Sequence, residues 1–161
     1  MQAAREHARI AMADGVCRCN EERSSMKIWI LMGSTSDQDM MVHAEKILQK
    51  EGIPFETYVH SAHREPEKIR ELIGKAHAEG VIAIIAGAGL AAHLPGFIAS
   101  LTDIPVLGVP LPASTIGGID SLLSIVQMPA GVPVATFGIG KHGVKNAALF
   151  ASRLYRHLEN R

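Results

Sequence analysis

Two short stretches of this sequence bring together side chains that can hold an anion and move a proton. "HSAHREP" (His60–Pro66) sets a histidine, His63, directly before an arginine, Arg64. A guanidinium is permanently charged and forks onto phosphate oxygens, and an imidazole exchanges a proton near neutral pH. "GSTSD" (Gly33–Asp37) offers the hydroxyls of Ser34, Thr35 and Ser36 beside a glycine that lets backbone approach closely. A helix starting there would add unpaired N–H groups to the cradle. The same residues also suit plain helix capping by Ser36 or Asp37, worth about 1 kcal/mol. His60 and His63 raise the question of a metal, but no third ligand follows at a sensible spacing, so none is expected. His7, His43, His77, His142 and His157 lack convergent partners and read as solvated or structural.

A third stretch, "IIAGAGLAAHLPG" (Ile84–Gly96), is ambiguous. Gly87-Ala88-Gly89-Leu90-Ala91-Ala92 has the G-x-G-x-x-A spacing of a dinucleotide-binding turn, and Gly138–Gly143 repeats the likeness. That fingerprint requires an acidic residue about 20 positions later, at the end of the next strand, to grip a ribose. After the first match the next strand ends in "VLGVP" with no acid, and after the second no strand follows. Nicotinamide binding is therefore set aside. The reading kept is a glycine turn at a helix start, exposing backbone N–H groups there. His93 reads as packing the turn, and Leu94-Pro95-Gly96 as kinking the helix that contains it.

These turns need a scaffold, and the hydrophobic pattern supplies one. Lys27–Met32 reads as a buried strand, followed by a helix with Met40, Ala44, Ile47 and Leu48 on one face and Gly52 at its end. Phe55–His60 reads as the second strand, and the next helix opens at Pro66 and closes at Gly80. "VIAIIA" (Val81–Ala86) is apolar throughout, as expected of a strand covered on both faces. Pro105–Pro110 and Pro133–Phe137 read as strands four and five, with a short helix at Ile119–Gln127 between them. A last helix aligns Val144, Ala147, Ala148, Ala151, Leu154 and Leu158. Alternating strands and helices predict an α/β fold with a parallel sheet and helices on both faces. Ligands of such sheets bind beyond the carboxyl ends of the strands, where all three motifs fall.

The chain has 161 residues, with 16 basic and 16 acidic side chains. That balance gives no long-range field toward nucleic acid or an anionic membrane, and no apolar run approaches a membrane span. Residues 1–25 lack a sustained apolar pattern and read as a flexible extension, or as an upstream start added to a chain beginning at Met26. Residues 26–161 read as a single catalytic domain. Cys17 and Cys19 cannot complete a zinc site, with His7 a poor third ligand, and suit unimportant thiols in a reducing cytoplasm. "GIDSLLSIVQMPAGVPVAT" (Gly118–Thr136) is mostly apolar and reads as packing or a subunit contact.

"MGSTSD", "SAHREP", "AGAGLAAHLPG" and "GIDSLLSIVQMPAGVPVAT", in this order, resemble the PurE family of purine biosynthesis. The likeness runs from about Met26 to about Tyr155, and "AAHLPG" resembles its mutase class. The resemblance implies a flavodoxin-like three-layer α/β/α sandwich, no metal or organic cofactor, and a homo-octamer with sites between subunits. It implies a small-molecule ribonucleotide substrate: a carboxylate moves from the exocyclic nitrogen of N5-carboxyaminoimidazole ribonucleotide to carbon 4 of the imidazole. On that resemblance Ser34, Ser36 and Arg64 hold the 5′-phosphate, with Ser61 beside them, and Asp37 reaches a ribose hydroxyl or the amine. His63 transfers the proton, Ala88 and Gly89 hold the migrating carboxylate, and His93 and Leu94 wall off water. Glu65 departs from the family, which usually has Thr there. Two alternatives stand beside this one. The first is a carboxylase using carbon dioxide directly. The second is a flavin-binding module, for which the 4% aromatic content offers little to stack on a flavin ring.

Overall fold

The computed structural model describes residues 26–161; the expected extension over residues 1–25, with Cys17 and Cys19, lies outside the described residues. Five strands form one sheet: β1 (Lys27–Met32), β2 (Phe55–Val59), β3 (Val81–Gly89), β4 (Val106–Leu111) and β5 (Ala135–Thr136). Their order is β2-β1-β3-β4-β5, and every neighbouring pair is parallel. This is the flavodoxin-like order, in which the winding reverses between β1 and β3 and leaves a crevice at their carboxyl ends.

Five helices cover the sheet: α1 (Gln38–Lys50), α2 (Pro66–Ile73), α3 (Leu94–Ala99), α4 (Ile119–Val126) and α5 (Lys141–Glu159). The period-2 alternation of β1 divides the core into two layers. Ile28, Ile30 and Met32 face α1 and α5 and pack with Met41, Ala44, Leu48, Val144, Ala147 and Ala151. Trp29 and Leu31 face the other way, toward Ile69 and Ile73 of α2, Leu94 and Ile98 of α3, and Ile125 of α4. Each fully buried large apolar side chain contributes about 1.5–3 kcal/mol. The sandwich therefore has three layers, as expected.

Several boundaries differ from the sequence expectation. The helix opening at Pro66 ends at Ile73, and Gly74, a poor helix former, caps it. Gly80 instead sits at φ +74, in the turn that leads into β3. β5 keeps only Leu107↔Ala135 and Gly108↔Thr136 as pairs at the edge of the sheet, and Pro133, the expected start of the strand, has no N–H to donate and lies outside it. Pro95 does not kink a helix but stands in the first turn of α3, where a missing N–H leaves no bond unmade. The largest difference concerns β3. It runs through Gly87, Ala88 and Gly89, so these residues are strand and not a turn at a helix start.

Candidate active site

The crevice is built from the three motifs in chain order. After β1, Ser34 leaves the strand in extended conformation and caps a 3-10 turn, Thr35–Asp37, that runs into α1. Its Oγ accepts from Ser36 N–H at 3.3 Å and from Ser36 Oγ at 2.9 Å. Capping thus falls to Ser34 and not, as expected, to Ser36 or Asp37: Asp37 makes no side-chain cap bond to α1. The Asp37 carboxyl is pushed up from its ordinary value, chiefly by burial, with the N–H groups of Ser34 and Gly33 pulling it back.

After β2, His60 N–H still reaches Met32 O at 3.0 Å, extending the strand edge by one bond. The chain then turns over Ala62–Arg64, and Glu65 N–H closes the turn onto Ser61 O at 2.8 Å. Ala62 is buried and anchors the turn, leaving His63 and Arg64 exposed on its crest. The Glu65 carboxylate accepts from Lys68 Nζ and lies 3.6 Å from His60 Nδ1, too long for a hydrogen bond. Lys68 holds the Glu65 carboxyl below its ordinary value.

The glycines of β3 are small because other elements press on them. A Cβ on Gly87 would lie 2.3 Å from Met41 Sδ of α1, and one on Gly89 would lie 2.5 Å from Ala113 Cβ. Ile84 N–H donates to Pro105 O, so even-numbered residues of β3 face β4 and odd-numbered ones face β1. Ala88 therefore turns its N–H into the sheet, against the expectation that it is an open donor. Gly89 turns its N–H toward the β1 edge, past the last paired residue, Met32. The reversal falls on Leu90, at φ +55, the one non-glycine of positive φ among the described residues. Ala92 N–H to Leu90 O, 2.9 Å, tightens it.

His93 follows at the start of α3, its ring 5.0 Å from the ring of His63 and 5.7 Å from that of Phe97. Arg70 of α2 lies over the Phe97 ring, 5.1 Å from its centroid. Read from the residues as packing the turn, and from the resemblance as walling off water, His93 puts a second imidazole on the same wall as His63. All ten candidate residues, Ser34, Ser36, Asp37, Ser61, His63, Arg64, Ala88, Gly89, His93 and Leu94, line one cavity of about 370 Å³. Leu90, Ala91 and Ala113 also line it and were not singled out from sequence. Ala113 carries no chemical signal, although its place just after β4 put it on the correct rim.

A model of the AIR carboxylase family matches residues 27–160. The chain belongs to the AIR carboxylase family. Curated relatives include proteins named N5-carboxyaminoimidazole ribonucleotide mutase. The one from Saccharolobus solfataricus is 55% identical over 128 residues, covering 80% of this chain and 80% of that one. The one from Bacillus subtilis is 53% identical over 127 residues, covering 79% and 78%. The solved structure of Treponema denticola PurE superposes with a TM-score of 0.72 at 28% identity, covering 81% of this chain and 80% of that one. The PurE likeness of the four motifs agrees with all three comparisons.

Among the described residues of this AIR carboxylase family chain, no group of three or more His, Cys, Asp or Glu is arranged to hold a metal. In the second dinucleotide lookalike, a Cβ on Gly143 would lie 1.6 Å from Gly138 O, so that glycine is required by packing. No helix among the described residues is long and apolar enough to cross a membrane.

Proposed function

We propose that this chain is an N5-carboxyaminoimidazole ribonucleotide mutase of purine synthesis. The observation that carries this reading is convergence. An anion cradle, a His-Arg turn and the glycine-rich end of β3, far apart in sequence, line one cavity at the switch point of the sheet. The relatives named as mutases, above 50% identical, point the same way.

In this reading Ser34, Ser36 and Arg64 bind the 5′-phosphate, with Ser61 completing the cradle and Asp37 taking a ribose hydroxyl or the amine. Protonated His63 gives its proton to the exocyclic nitrogen as the carbamate C–N bond breaks, leaving aminoimidazole ribonucleotide and carbon dioxide. Carbon 4 attacks the trapped carbon dioxide, a C–C bond forms, and neutral His63 takes the ring proton. Protons and electrons balance without a metal or organic cofactor. Gly89 N–H suits the migrating carboxylate better than Ala88 N–H, which is spent in the sheet; Ala88 contributes its methyl wall. His93 and Leu94 close the cavity against water, and confinement of the carbon dioxide supplies much of the rate.

Residues 26–161 form the catalytic domain, and the working enzyme is a cytoplasmic homo-octamer with sites between subunits. The exposed apolar residues Ile119, Leu123 and Val126 support assembly, since they form a stripe on α4 opposite its buried Ser121 and Ile125. The test is turnover of the carbamate substrate in carbon-dioxide-depleted buffer. The wild type forms the carbon-carboxylated product there, and His63→Asn loses about 10²–10⁴-fold in kcat. A requirement for added bicarbonate would make the chain a direct carboxylase instead.

A further inference from the structure

Glu65 has no part in the function proposed above, yet it adjoins Arg64. Both face a hollow of about 340 Å³ shared with Ser34, Thr35 and Ser61. A free carboxylate at that place would compete with an incoming phosphate for the guanidinium, because both are anions of the fork-fitting kind. In the structure it is engaged elsewhere. One oxygen accepts from Lys68 Nζ, and the other lies 3.6 Å from His60 Nδ1. That nitrogen is buried with no hydrogen-bond partner among the described residues, so its nearest anion is Glu65. Among the described residues no acid pairs with Arg64.

We propose that Lys68 is a positioning residue that holds the Glu65 carboxylate away from Arg64 and so keeps the guanidinium free for the phosphate of a ribonucleotide. This rests on the reading of Arg64 as the phosphate clamp. Without Lys68, Glu65 is released to pair with its neighbour and cancels the clamp. Without both, there is nothing to sequester and the clamp is open again. A lysine acting only through its own charge on the phosphate is told apart by E65Q alone, which would then tighten binding by removing a nearby anion instead of leaving it unchanged.

The experiment uses the full chain with K68M, E65Q, the double variant K68M/E65Q, and R64A. It reads KM and kcat on the carbamate substrate, and the Kd of ribose-5-phosphate by calorimetry, which needs no turnover. K68M raises both KM and Kd about fivefold with kcat held within about twofold, the scale of an exposed ion pair. E65Q stays within about twofold of wild type, and the double variant returns to the wild-type value. A double variant as weak as K68M, or a K68M indistinguishable from wild type, overturns the proposal. R64A with unchanged Kd overturns the clamp itself, which separates failure of the site reading from failure of the role of Lys68.

Discussion

Leu90 holds a backbone conformation that residues with a Cβ resist, and it does so on the rim of the cavity, where the residue is 55% exposed. Left-handed backbone costs such a residue roughly 1–2 kcal/mol, and strain of this kind persists where surrounding structure imposes it. Here β3, pinned by its neighbours up to Gly89, and the Leu90–Ala92 turn impose it. The sign of one comparison tests this. At an ordinary exposed position alanine is more stabilising than glycine by about 0.4–1 kcal/mol, through the unfolded chain. Leu90→Gly should instead unfold at higher denaturant than Leu90→Ala, and the usual order would mean that no strain is stored. Asp37 offers a second test. Its folded-state pKa is raised by burial, so its contribution to stability is full below the unfolded value and is lost as pH rises through the folded one. At neutral pH the buried charge therefore works against folding. Asp37→Asn should resist urea better than wild type at pH ~7, with the advantage shrinking toward pH ~4, near the ordinary aspartate value. An advantage independent of pH would refute burial of the charge as its cause.

Glycines in β3 and α5 do their work between elements. Gly87 admits Met41 of α1, and Gly143 lets α5 seat on the backbone carbonyl of Gly138. The two differ in what can yield. A Cβ on Gly87 meets the end of a flexible methionine side chain, whereas one on Gly143 meets backbone at 1.6 Å. Gly87→Ala should cost about 1–3 kcal/mol. Gly143→Ala should cost more, although alanine is by about 1 kcal/mol the better helix former. Equal denaturant midpoints for the two variants would contradict this packing. The same glycines mark the limit of what the sequence told. The continuous apolar run Lys27–Met32 and the stripe through Val144, Ala147 and Ala151 are local patterns and located β1 and α5 correctly. Gly87 and Gly89 looked like a turn because glycine usually is one. The requirement for them comes from Met41 and Ala113, remote in sequence, and periodicity carries no trace of that. Leu90 was overlooked for the converse reason: nothing about leucine announces a reversal. The candidate side chains were legible because polar groups following apolar strands fall on one rim in any parallel sheet.

For the whole molecule, the fold leaves α4 with one apolar face in the core and another in solvent. Ile119, Leu123 and Val126 are each about half exposed, and Ile116 extends the patch. Apolar residues gathered this way mark an association surface, and a second copy of the chain fits the proposed octamer. Leu123→Glu should lower the mass measured by light scattering, because a charge buried at a symmetric contact is repeated in every copy. An unchanged mass would place the contact elsewhere. The central claim is that one carboxylate leaves nitrogen and reaches carbon without escaping the cavity. Its most direct test supplies substrate with an isotopically labelled carbamate carbon, in buffer holding excess unlabelled bicarbonate, and follows the label by mass spectrometry. The mutase predicts product that keeps the label; product carrying only unlabelled carboxylate would contradict it.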